Sequence, residues 1–90
     1  MKGLGLLGLK VEDKVTGFTG VVGSISFDLY GCIQDLVNPG MGTDGKLRDQ
    51  CWFDISRLNV LDETPVMKVP NFNDEPHGPE DKPVFGMRSN

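Results

Sequence analysis

Few side chains in this sequence belong to the types that carry out catalysis. The only histidine, His77, lies in a proline-rich stretch, and neither cysteine, Cys32 or Cys51, has a histidine near it in the sequence. A nucleophile needs a base within hydrogen-bonding reach, and a zinc site needs a set of suitably spaced ligands. Neither arrangement can be drawn from these spacings, so we expect no enzyme activity, no cofactor and no metal site.

Acidic residues gather in one part of the chain, at Asp44, Asp49 and Asp54. Asp44 precedes a glycine, which is typical of a turn, and Asp49 lies in a loop-like segment. Asp54 directly precedes Ile-Ser-Arg and is well placed to cap a single helical turn. The pattern therefore favours turn and capping roles over a pair of catalytic carboxylates.

Aromatic and cationic side chains are the best candidates for binding. Trp52 alternates with Cys51 and Phe53, so it points outward if its neighbours point into the core, whereas the other strand register buries it. An outward Trp52 would offer a stacking surface to a base, a proline-rich peptide or a second subunit, with a cation to hold one anionic group. The candidate binding residues are Trp52, Tyr30, Phe18, Lys14 and Arg57.

Short strands must position these residues, because no segment shows helical periodicity. From residue 20 to 29 the chain alternates, and the odd positions from Val21 to Leu29 are predicted to share one buried face, with Gly23 at a bend or bulge. Further strands are expected at 10–16, 32–37, 50–54 and 58–61, with a 3₁₀ turn at 55–57. We therefore predict an all-β fold, a small five-stranded SH3-like barrel with a Pro-rich extended C-terminal tail.

The expected organisation is a flexible N-terminal lead-in or added edge strand at 1–8, the barrel at 9–62, and a Pro-rich extended arm or disordered tail at 63–90. The opening apolar run is too short and too rich in glycine for a signal peptide or a membrane span. The tail carries apolar residues spaced for docking as an extended segment: Val66, Met67, Val69, Phe72, Val84, Phe85 and Met87.

Charge and cysteine content point to the compartment and to the partners. The net charge is −4 and the cations are scattered singly, which disfavours general binding of nucleic acid. Cys32 and Cys51 open the third and fourth predicted strands, which places them as neighbours across the sheet, and in a reducing cytosol we expect buried free thiols rather than a disulfide.

Three strings in the chain carry a resemblance to a known group: residues 12–20 with Lys-Val-Thr-Gly-Phe, residues 30–34 with Tyr-Gly-Cys, and Trp52-Phe53-Asp54. They resemble a group of small proteins encoded by tailed phages and prophages. The resemblance implies a phage accessory protein made in the host bacterial cytoplasm. Because the chain lacks a catalytic set, we expect it to act by binding, in counter-defence, by sequestering a host protein or a small nucleotide signal. The alternative is a structural or assembly protein of the virion. Either way, we expect a homo-oligomer with contacts made by the tail.

Overall fold

The computed structural model describes residues 5–72, which form one open antiparallel sheet and almost no helix. Along the chain the elements are β1 (Lys10–Asp13), β2 (Thr19–Phe27), β3 (Ile33–Asn38), β4 (Cys51–Asp54), a 3₁₀ helix (Ile55–Arg57) and β5 (Leu58–Asp62). The strand order in the sheet is β4-β3-β2-β1-β5, and every neighbouring pair is antiparallel. The prediction of an all-β fold with five strands is confirmed.

A bulge in β2 decides which side chains reach the core. The pairing with β3 shifts register between Val22 and Ser24, so the predicted irregularity at Gly23 is confirmed. The extra residue exchanges the two faces of the strand. Val22 faces inward before the bulge and Ile25 after it, so the prediction that all odd positions share one buried face is wrong for the first half of β2. It is also wrong for Phe27 and Leu29, which are exposed.

The core is small. Its buried cluster consists of Val11, Val22, Val37 and Phe53, one from each of β1, β2, β3 and β4. Six partly buried side chains pack around it: Leu6, Leu7, Phe18, Ile25, Cys51 and Leu58. We call the sheet face that carries this cluster the inner face and the opposite one the outer face.

The N-terminal segment packs on the sheet rather than extending away from it. The N–H of Gly8 donates to the carbonyl of Val22 at 2.8 Å, and Val22 donates back to the carbonyl of Leu9 at 3.0 Å. Within residues 5–8, Leu6 and Leu7 pack against the buried cluster and contribute apolar surface to a core that is short of it.

The first part of the predicted tail also lies against the domain. The N–H of Val66 donates to the carbonyl of Gly8 at 2.9 Å, and Gly8 approaches Pro65, Met67 and Val69. The predicted docking residues Val84, Phe85 and Met87 lie outside the described residues.

The 3₁₀ helix begins at the cap that the sequence predicts. Oδ1 of Asp54 accepts hydrogen bonds from the N–H of Ser56 at 2.9 Å and from its hydroxyl at 2.7 Å. These bonds lower the pKa of Asp54, because they favour its charged form.

The substitution Asp54→Ala is expected to cost about 1 kcal/mol of unfolding free energy, the usual effect of losing an N-cap. The measurement is guanidinium unfolding followed by the fluorescence of Trp52. Asp49→Ala, which removes an exposed loop carboxylate, is the control and should change stability by less than about 0.5 kcal/mol. Equal effects of the two substitutions would contradict the capping role.

Candidate binding surface

The turn between β2 and β3, residues 28–32, presents two large side chains to water. Leu29 is 91% exposed and Tyr30 is 86% exposed. The turn is held by Asp28, whose Oδ1 accepts from the N–H groups of Tyr30 and Cys32, each at 2.9 Å. We call this segment the hairpin tip. Its backbone is fixed before any partner arrives, so little further ordering is needed on binding.

Trp52 lies on the outer face and is 47% exposed. It is opposite Leu36 of β3, which is in turn opposite Ser24 of β2. Phe53, the next residue, is buried on the inner face, so the outward register for Trp52 is the one adopted. Leu36 and Trp52 therefore form an apolar strip across β3 and β4 on the outer face. The strip ends at β2, where the opposite residue is the small, polar Ser24.

Phe18 and Arg57 meet on the other side of the sheet, at the ring of Phe53. The ring centroids of Phe18 and Phe53 are 5.2 Å apart, and Cζ of Arg57 lies 5.3 Å from the Phe53 centroid. Both contacts are of the attractive kind expected for aromatic pairs and for a guanidinium over a ring. Phe18 and Arg57 therefore help to close one end of the core.

The charge of Arg57 is already engaged within the chain. Its Nε and Nη2 donate to the two carboxylate oxygens of Asp13, both at 2.7 Å, in a bidentate pair. The N–H of Thr16 also donates to Asp13, at 2.8 Å. The bonds from Arg57, followed by those from Thr16, hold the pKa of Asp13 well below its usual range. An incoming anion would have to compete with a fully buried carboxylate for this guanidinium.

The predicted binding residues thus divide into two groups. Trp52 and Tyr30 are exposed, and each sits beside other apolar side chains. Phe18 and Arg57 belong to the internal cluster around Phe53. Lys14 is exposed in the β1–β2 turn, where its N–H donates to the carbonyl of Arg57 at 2.7 Å. A stacking surface that combines Trp52 with Phe18 is not formed, because Trp52 and Phe53 point to opposite faces of β4.

Open grooves lie between the sheet and its flanking segments. One, of about 580 Å³, opens beside Lys10 and Asn38 and is bounded by Leu61. The second, of about 290 Å³, is lined almost wholly by apolar atoms of Leu7, Val22 and the segment Val66–Phe72. Both are open to solvent and neither is an enclosed cavity.

Within residues 5–72 no group of three or more histidine, cysteine, aspartate or glutamate side chains is arranged to hold a metal ion. In the same part of the chain, no helix has the length and apolar character needed to cross a bilayer. His77, the one candidate general base in the sequence, lies outside the described residues.

The two cysteines are free but are not placed as predicted. Cys32 is exposed in the hairpin tip, where the nearby carboxylate of Asp28 raises the pKa of its thiol. Cys51 is half-buried on β4 opposite Val37, at the far end of β3 from Cys32. Cys32 and Cys51 are therefore not neighbours across the sheet, because Cys32 belongs to the turn and not to β3.

Two buried carboxylates, Asp13 and Asp35, were not among the predicted residues. Both are fully buried. The signal for each is strand alternation, since Asp13 follows Val11 by two residues and Asp35 lies midway between Ile33 and Val37. Period two assigns both to the inner face.

Comparison of the chain with protein-family models, with curated proteins and with solved structures gave no match. The function is therefore inferred from the surface itself.

Proposed function

We propose that this chain is a non-catalytic accessory protein of a phage that acts by binding another protein, with Trp52 and the hairpin tip as the contact surface. The observation that carries the proposal is the exposure of Leu29 and Tyr30 on a turn fixed by Asp28. A large apolar side chain that stays exposed on an ordered turn contributes little to the stability of the fold, because its apolar atoms are not removed from water. Exposed apolar side chains that are grouped on one turn mark interaction sites.

The types of residue on this surface support a protein partner. Tyrosine and tryptophan contribute large, rigid and amphipathic contact area, and they are over-represented among the residues that dominate interface energies. Trp52 provides a further exposed aromatic side chain on the outer face, where Leu36 lies beside it. A protein partner that covers these side chains would remove their apolar atoms from water.

A small anionic ligand, such as a nucleotide signal, has weaker support. Of the two predicted cations, Arg57 is paired with the buried carboxylate of Asp13, which leaves Lys14. Lys14 lies in the turn after β1, next in sequence to Asp13, whereas Trp52 is on the outer face of β4. We therefore favour sequestration of a host protein over sequestration of a nucleotide as the mode of counter-defence.

The SH3-like barrel is the finer fold class that we propose. Three features support it: the strand order β4-β3-β2-β1-β5, the bulge that bends β2, and the single 3₁₀ turn between the last two strands. Small barrels of this type commonly serve as binding scaffolds, and the proposed contact surface would lie on one turn and one strand of the barrel.

The double variant Tyr30→Ser/Trp52→Ser tests the contact surface. We expect it to recover at least about tenfold less partner than the unaltered chain when both are used as bait in lysate of infected bacteria, because two anchor side chains are lost. The readout is the ratio of captured proteins by quantitative mass spectrometry.

Val15→Ser is the matched control, because Val15 is 73% exposed in the β1–β2 turn, away from the proposed surface. It should leave recovery unchanged. Equal recovery by the double variant and the unaltered chain would contradict the assignment of this surface. Unfolding curves of all three proteins establish that any loss is not a loss of folding.

A further inference from the structure

Asp35 occupies a place in the sheet that an apolar residue would normally fill. It lies on the inner face of β3, opposite Ile25 of β2 on one side and Phe53 of β4 on the other. Its exposure is 0%. Neither oxygen of its carboxyl group has a hydrogen-bond partner among the residues that the structure describes. A buried polar group without a partner is unusual and costly.

The elements packed around Asp35 offer it no compensating charge. The inner face of β2 presents Val22 and Ile25, and that of β4 presents Phe53 and the thiol of Cys51. The 3₁₀ helix, which contacts β3, carries Arg57, but that guanidinium is bonded to Asp13 of β1 through both carboxylate oxygens. An ionised Asp35 would therefore be an isolated charge in an apolar surrounding.

Such a carboxyl group is stable in the core only while it holds its proton, because ionisation without a partner costs far more in an apolar medium than in water. Burial raises the pKa of Asp35 from 3.8 to about 6. The neutral and the ionised forms therefore exchange within the range of pH that a cell or its compartments can reach.

We propose that Asp35 makes the packing of the edge strand β4 on the sheet depend on pH: a neutral carboxyl group keeps β4 closed over the core, and ionisation loosens it. On ionisation the O–H bond breaks, the proton passes to water, and the carboxylate must be hydrated. β4 is the element that yields, because it has four residues and pairs only with β3, whereas β2 has nine residues and pairs on both sides.

The direction of the pH dependence follows from the raised pKa. The contribution of Asp35 to stability is fully present below about pH 3.8, falls as the pH rises toward about 6, and is lost above that value. Asp13 and Asp54 act in the opposite direction, since their lowered pKa values stabilise the fold above about pH 3.8. Between about pH 4.5 and 7.5, the change of the unfolding free energy with pH therefore reflects the ionisation of Asp35.

The test is guanidinium unfolding of the full chain at pH 4.5 and pH 7.5, in a His77→Gln background that removes the only histidine. In the chain with Asp35 intact, the unfolding equilibrium constant should rise at least about tenfold between the two pH values, since each unit of pKa shift corresponds to a factor of ten. In Asp35→Asn the unfolding equilibrium constant should change less than about twofold between the same two pH values, whether the variant is more or less stable than the intact chain. Equal slopes in the two proteins would overturn the proposal.

A second variant and a second measurement distinguish the proposed effect of Asp35 from a general loss of folding. Asp35→Val, which replaces the carboxyl with apolar atoms, should be more stable than the intact chain at pH 7.5. Hydrogen exchange, corrected for the intrinsic effect of pH, should accelerate in the β4 amides more than in those of β1 and β5. A uniform acceleration across all strands would overturn the assignment to β4.

Discussion

Replacing Gly20 with alanine is expected to destabilise the fold by about 3 kcal/mol, the upper end of the usual cost of overpacking. Gly20 lies on the inner face of β2, opposite Val11. A Cβ atom there would overlap the carbonyl oxygen of Asn38 and stand 2.6 Å from its carbonyl carbon. These are backbone atoms of the neighbouring strand, which cannot swing aside as a side chain can. The strands β2 and β3 would have to separate.

Gly23→Ala is the matched control for that prediction. A Cβ atom at Gly23 would meet nothing within 4 Å, and the residue belongs to the same strand. We expect this substitution to change the free energy of unfolding by less than about 0.5 kcal/mol. Guanidinium unfolding of both variants measures the difference, and similar losses at the two positions would contradict the close approach of β2 to β3.

The second large effect is expected at the pair formed by Asp13 and Arg57. Arg57→Met keeps much of the contact with Phe53 but leaves the buried carboxylate of Asp13 with only the bonds from Thr16. Removing one partner of a buried pair costs about 3–5 kcal/mol. The Arg57 side chain is 39% exposed, so water screens part of the interaction. We therefore expect the free energy of unfolding to fall by about 3 kcal/mol.

A double-mutant cycle separates this pairing from simple loss of packing. Asp13→Asn/Arg57→Met should be less destabilised than the sum of the two single variants, because the second change removes the charge that the first leaves unpaired. Lys14→Met, a neighbouring exposed cation, should change stability by less than about 0.5 kcal/mol. Strict additivity of the two single effects would contradict the pairing.

Local sequence signals predicted the features that depend on local chemistry. The alternation of β2 and the glycine at its centre were sufficient to predict a bulged strand at Gly23. The order Asp-Ile-Ser-Arg was sufficient to predict the cap at Asp54, because an N-cap involves only the next two or three residues.

Features that depend on distant parts of the chain were not predictable in this way. Arg57 was expected to be a free cation, but its partner, Asp13, lies 44 residues away in the sequence. Cys32 is a local exception: the alternation favoured a strand, although Asp28, only four residues earlier, holds Cys32 in a turn. The unpaired state of Asp35 depends on what β2 and β4 place beside it, which follows only from the pairing of the strands.

The most direct test of the proposed binding function is native mass spectrometry of the full chain recovered from the lysate of phage-infected bacteria. We predict a complex that contains the 9.9 kDa chain and a different protein, and the same complex should be absent for Tyr30→Ser/Trp52→Ser. Recovery of the chain with only a small-molecule mass attached, or only as a multiple of its own mass, would contradict the account.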